Sequence, residues 1–133
     1  MAPGLEHELA YLLDYDGTHF LFDAGFWVKI EVRRVAVTRA RPHGLAYSFT
    51  LHDPDGQRLL GFDNAHGVRR RGGRYAGKAV AYDHWHRTSD DEGRPYTFQS
   101  ALKLVEDFLA EVDRVLAEQG VSADIRESRG RSP

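Results

Sequence analysis

The sequence predicts an α+β fold, an antiparallel β-meander of about five to six strands packed on one long C-terminal α-helix. Three observations carry that prediction. Apolar and polar residues alternate with period two through most of residues 9–64. The breaks between these runs hold turn residues and are too short for the helical crossovers that parallel strands need. After Thr97 the period becomes helical and holds to Leu116.

Taken in order, Ala10 to Tyr15 and His19 to Phe22 flank Asp16-Gly17 and read as a hairpin. Beyond Asp23-Ala24-Gly25, FWVKIEV sets Phe26, Val28, Ile30 and Val32 on one face. Trp27, Lys29, Glu31 and Arg33 take the other, with Trp27 expected to be partly buried. Val35 and Val37 resume on the opposite parity, which predicts a bulge or bend at Arg33-Arg34. LAYSFTLHD aligns Leu45, Tyr47, Phe49 and Leu51, and Asp53-Pro54-Asp55-Gly56 is a strong turn. QRLLGFDN is the next strand, GVRRRGGRYAG a glycine-rich loop and KAVAYDHWH the last strand.

For the helix, Thr97 is the expected N-cap. Phe98, Leu102, Val105, Leu109, Val112 and Leu116 form the expected buried stripe, widened by Ala101, Phe108 and Val115. Gly120 is the stop. Two cores within 133 residues would each be marginal, so residues 1–121 are expected to form one domain and 122–133 a flexible polar tail.

A formal charge of −2 gives no overall bias towards nucleic acid, so any anion site must come from local clustering. With no cysteine there is neither a disulfide framework nor a thiolate metal site. The N-terminus lacks the pattern of a secretory signal and no run approaches a membrane span, so the expected location is the cytoplasm, with no membrane partner.

Chemistry concentrates in YDHWHR. On a strand, His84 and His86 project from one face, while Asp83 and Trp85 project from the other. Two imidazoles so placed can share acid and base duties at a phosphodiester, or chelate a divalent metal such as zinc. FDNAHG supplies Asp63, Asn64 and His66 near the end of the preceding strand, as further ligands or as groups that orient an imidazole. An HxH on a strand also arises without function. The neighbouring cations weigh against that here. Arg69, Arg70, Arg71, Arg74 and Lys78 lie between the two motifs with no acid among them, Tyr75 can stack on a base, and Arg87 follows the second histidine. Arginine offers bidentate phosphate contacts and planar stacking, which suit single-stranded RNA.

FDNAHG, YDHWHR, RPYTFQS and LKLVEDFLAEV, in that order, resemble the TumE-type toxins of bacterial and archaeal toxin–antitoxin pairs. The matching residues are Phe62, Asp63 and Asn64, then Asp83, His84 and His86, then Pro95, Tyr96 and Phe98, and lastly Asp107 and Phe108. The likeness covers roughly residues 20 to 117, and the stretch GVRRRGGRYAGKAVA is an insertion relative to shorter members. The resemblance implies a growth-inhibiting toxin neutralised by a neighbouring helix-turn-helix antitoxin.

The leading expectation is a ribonuclease toxin that needs no metal or other cofactor. In it, His84 and His86 act as base and acid, Asp63 or Asp83 orients an imidazole, His66 assists, and Asn64, Tyr75, Arg87 and the five loop cations hold substrate. One alternative is a metal-dependent hydrolase or transferase with His66, His84, His86 and Asp63 as ligands. A second is a non-catalytic module that binds nucleic acid or a partner. Exposed sheet edges would allow a homodimer.

Overall fold

The computed structural model describes residues 3–64, 83–88, 91 and 93–130. Its elements are α1 (Pro3–Asp14), β1 (His19–Leu21), β2 (Trp27–Arg34), β3 (Leu45–His52), β4 (Arg58–Asp63), β5 (His84–His86), β6 (Arg94–Pro95), α2 (Ala101–Glu118) and β7 (Glu127–Arg129). The strands make one antiparallel sheet in the order β6-β5-β4-β3-β2-β1-β7. The fold is therefore α+β, a meander with a long C-terminal helix as predicted, with slightly more strands than expected.

The additions are short. β6 has two residues, and β7 pairs Glu127, Ser128 and Arg129 with Leu21, Phe20 and His19 inside the stretch expected to be a flexible tail. Arg126 anchors β7 through a bidentate pair with Asp23, at 2.5 and 3.0 Å. Hydrophobic pattern could not disclose this strand, because it is held by backbone bonds and its side chains are exposed.

The expected first hairpin is a helix followed by a strand. Residues 10–14 belong to α1, where Leu12 is buried and Leu9 and Leu13 pack beside it at helical spacing. α1 lies against α2 and β2, and the Glu8 carboxylate accepts the Leu102 N–H of α2 at 3.1 Å. Gly17 (φ 83°) turns the chain into β1 after the helix, which a two-residue hairpin reading mistook for a strand connection.

β2 and β3 pair over their full lengths, from Trp27↔His52 to Arg34↔Leu45. Their inner residues Val28, Ile30, Val32, Leu45, Tyr47, Phe49 and Leu51 are buried beneath the helices. No bulge lies at Arg33-Arg34, because β2 ends there; the irregularity falls between β3 and β4, where Leu59 is the extra residue between the pairs Leu51↔Leu60 and His52↔Arg58. The Asp53–Gly56 turn forms as read, the Asp53 carboxylate accepting the N–H groups of Asp55 and Gln57 at 2.9 Å each.

On α2 the N-cap is Ser100, whose hydroxyl accepts the Lys103 N–H at 3.1 Å, and not Thr97. The buried stripe is Ala101, Leu104, Phe108, Val112, Val115 and Leu116, while Leu102 and Leu109 are exposed. The helix is thus rotated towards the residues thought only to widen the stripe. No helix among the described residues is long and apolar enough to cross a membrane.

Candidate active site

Period-two alternation on two paired strands divides the work between the sheet's faces. β4 and β5 pair Gly61↔His86, Phe62↔Trp85 and Asp63↔His84. Phe62 points towards the helix, where it meets Phe108 edge-on at 5.5 Å and Tyr96 at 5.4 Å. Asp63, His84 and His86 therefore project from the face opposite the helix.

There one carboxylate serves two imidazoles. Asp63 Oδ1 lies 3.2 Å from His84 Nε2, and Oδ2 lies 3.0 Å from His86 Nε2. An ionised carboxylate only accepts, so each ring presents Nε2–H to its own oxygen. The rings lie 5.4 Å apart and within 25° of parallel, and both histidines are buried to 6% exposure. Nδ1 of His86 has no hydrogen-bond partner among the described residues.

Glycines shape the space around the rings. A Cβ on Gly61 would stand 3.1 Å from His86 Cε1 and Nε2, so a side chain here would make the ring give by a few tenths of an ångström. Gly93, at φ 99°, passes close over His84, where a Cβ would meet Cδ2 at 3.2 Å. The turn that delivers Gly93 is built on Asp91, whose carboxylate accepts the N–H groups of Arg87 at 2.8 Å and Gly93 at 3.0 Å. These bonds, the Arg87 N–H foremost, hold the Asp91 carboxyl below its usual range against the opposing effect of burial.

On the helix side, Asp83 fixes the start of β5. Its carboxylate accepts His43 Nε2–H at 3.0 and 2.9 Å and the Tyr47 hydroxyl at 2.7 Å. The His43 tautomer follows, because its Nδ1 accepts the Leu45 N–H at 3.2 Å. Burial, and then the Asp83 charge, push the Tyr47 phenol far above its ordinary range, so it stays a donor. Tyr96 donates to Asp107 at 2.7 Å and Lys103 reaches the same carboxylate at 2.8 Å. Burial alone would raise Asp107, but these partners hold it low.

Of the site residues expected from sequence, Asp63, His84 and His86 come together. Asp83 lies on the opposite face and orients His43 rather than either strand imidazole. Asn64, expected to meet substrate, is fully buried, its amide accepting the Tyr47 N–H at 3.0 Å and donating to the Leu45 carbonyl at 2.7 Å. Arg87 is bound to Glu118 at 2.6 Å, away from the triad's carboxylate. His66, Arg69, Arg70, Arg71, Arg74, Tyr75 and Lys78 lie outside the described residues.

Sequence reasoning missed Gly61, Gly93, His43 and Arg58. Arg58 sits near Asp63 at the base of β4, donating to the Thr88 carbonyl at 3.0 Å. Desolvation lowers its pKa, and its Nε has no partner among the described residues. The DHWHR strand could have pointed to Gly61, since cross-strand pairing places it opposite His86. His43 stands in the loop before β3 and Arg58 opens β4, positions that carry no such signal.

A seven-stranded antiparallel sheet under two helices, with a carboxylate and two imidazoles gathered on its far face, defines a small α+β protein equipped for proton transfer or metal capture. The chain belongs to the TumE toxin family, whose model, described as toxin TumE, matches residues 12–116. No curated protein and no solved structure matches it. As a family member it is a toxin of a toxin–antitoxin system, and an antitoxin is its expected partner. The motifs that carry the likeness thus belong to two layers: Asp63, His84 and His86 on the face away from the helices, and Phe62, Tyr96, Asp107 and Phe108 on the helix side.

Proposed function

We propose that this toxin cleaves RNA by proton transfer between His84 and His86, with Asp63 holding both rings. The observation that carries this reading is a single carboxylate within hydrogen-bonding distance of two Nε2 atoms, at 3.2 and 3.0 Å. One neutral and one protonated ring around an ionised Asp63 leave the three side chains with no net charge. The neutral ring takes the proton of a ribose 2′-hydroxyl as its oxygen attacks the adjacent phosphorus. The protonated ring gives its proton to the departing 5′-oxygen, leaving a cyclic phosphate and a free 5′-hydroxyl. Each such transfer contributes about 10²–10⁴-fold.

Arg58 is the described cation best placed to offset charge developing on the phosphoryl oxygens. Arg69, Arg70, Arg71, Arg74 and Lys78 provide phosphate contacts, since their segment joins the end of β4 to the start of β5 and is tethered at both ends to site residues. The partner is a helix-turn-helix antitoxin that neutralises this activity.

The test replaces Asp63→Asn, His84→Ala and His86→Ala singly, and follows growth inhibition together with cleavage of a labelled RNA by purified full-length protein. Each variant is expected to lose at least about a hundredfold in cleavage rate. Full cleavage by the two histidine variants would remove the proposal.

A further inference from the structure

We propose that Asp63, His84 and His86 also capture one divalent transition-metal ion, zinc foremost, and that the captured ion silences the acid–base pair. This rests on the catalytic role proposed above and names a regulator of that same site.

The three side chains converge. One donor atom from each lies within 4.8 Å of the others. The carboxylate-to-imidazole spacings of 3.2 and 3.0 Å resemble those between neighbouring ligands in a real site. Around a tetrahedral zinc with bonds of about 2.0–2.1 Å, adjacent donors stand about 3.3–3.4 Å apart. Two imidazoles with one carboxylate select zinc-like ions over magnesium or calcium, which prefer oxygen. Three protein donors leave a fourth position open to water. The ladder between β4 and β5 fixes the donors in advance, and Gly61 leaves clear the space around His86 Nε2 that a Cβ would crowd at 3.1 Å.

Metal and proton compete for the same lone pairs. Ligation takes Nε2 of both rings, so each Nε2 proton must leave or move to Nδ1, and neither ring remains free to relay one.

The experiment uses full-length protein stripped with chelator and dialysed, titrated with zinc by calorimetry and with cobalt(II) by visible absorption. The expected result is one ion per chain, with affinity at least about tenfold weaker in Asp63→Asn and His86→Gln. RNA cleavage should fall as zinc occupancy rises and return on adding chelator. Asp63→Asn is nearly isosteric, and a melting curve confirms that it folds. Absence of binding, or binding unchanged in both variants, would overturn the metal site. Cleavage that rises with occupancy would overturn the silencing role. Stoichiometric binding by a protein that cleaves no RNA, stripped or loaded, would instead sink the function proposed above and leave the metal site standing.

Discussion

A methyl group on Gly61 would lie 3.1 Å from the His86 ring, and that ring is held by only one described bond, at 3.0 Å to Asp63. Gly61→Ala should therefore push the imidazole by a few tenths of an ångström without removing any chemical group. Because catalysis needs close alignment of reacting groups, RNA cleavage should fall about 10–100-fold while the melting temperature stays close to that of the parent. An unchanged cleavage rate would show that His86 does not work from this position. His52 gives a residue-scale prediction of a different kind. It stacks on Trp27 at 4.1 Å and within 15°, and its pKa is lowered, first by burial and then by Lys29 and Arg58, against the Gly56 carbonyl and Asp53. With a folded pKa below the ordinary 6.5, the unfolded chain takes up this proton first as pH falls. The contribution of His52 is fully present above that ordinary value and is lost as pH drops through the folded one. His52→Phe keeps the stack and removes the titration, so its urea midpoint should fall less than the parent's between pH 7.5 and about 5. Parallel midpoints would refute the shift.

The sequence read best where side chains alternate, as the strand elements illustrate. β2, β3 and β4 were legible because Val28 to Val32, Leu45 to Leu51 and Leu60 with Phe62 bury one face against the helices. α1 was misread because Ala10 to Tyr15 is short and lies against an Asp-Gly pair, so local turn chemistry outweighed the helical spacing of Leu9, Leu12 and Leu13. The start of α2 was misread for a related reason. Thr97 and Ser100 are both good caps by type, and only the backbone decides which one is extended at the right place: Ser100, at φ −158° and ψ 163°. This predicts an asymmetry. Ser100→Ala removes the acceptor of the Lys103 N–H and should cost about 1 kcal/mol in a urea melt, whereas Thr97→Ala should stay within about 0.5 kcal/mol. Equal effects would mean the helix begins elsewhere.

For the whole molecule, the sheet separates support from chemistry. Its helix side holds the apolar core together with the Asp83 and Asp107 networks, and its other side holds Asp63, His84 and His86. The triad was legible in part, because HxH on a strand fixes two side chains on one face whatever the fold. Its carboxylate could be assigned only once the register placed Asp63, and not Asp83, opposite His84. The same separation bears on how a chain of net charge −2 can hold a polyanion. Long-range attraction is weak at this net charge, so affinity must come from a few close phosphate contacts, each of which releases a bound counterion from the nucleic acid. For a single strand the logarithm of affinity then falls with the logarithm of salt concentration by about 0.7 per contact. Replacing Arg69, Arg70 and Arg71 together with alanine should lower that slope by about 2, measured by fluorescence anisotropy on a labelled RNA from low to moderate salt. The cleavage step itself, read at saturating protein over a fixed RNA, should change far less, because those cations bind and the triad of Asp63, His84 and His86 reacts. If the slope stays the same while the cleavage step collapses, the segment acts in the chemistry, and the division of labour between β4–β5 and the chain that links them is wrong.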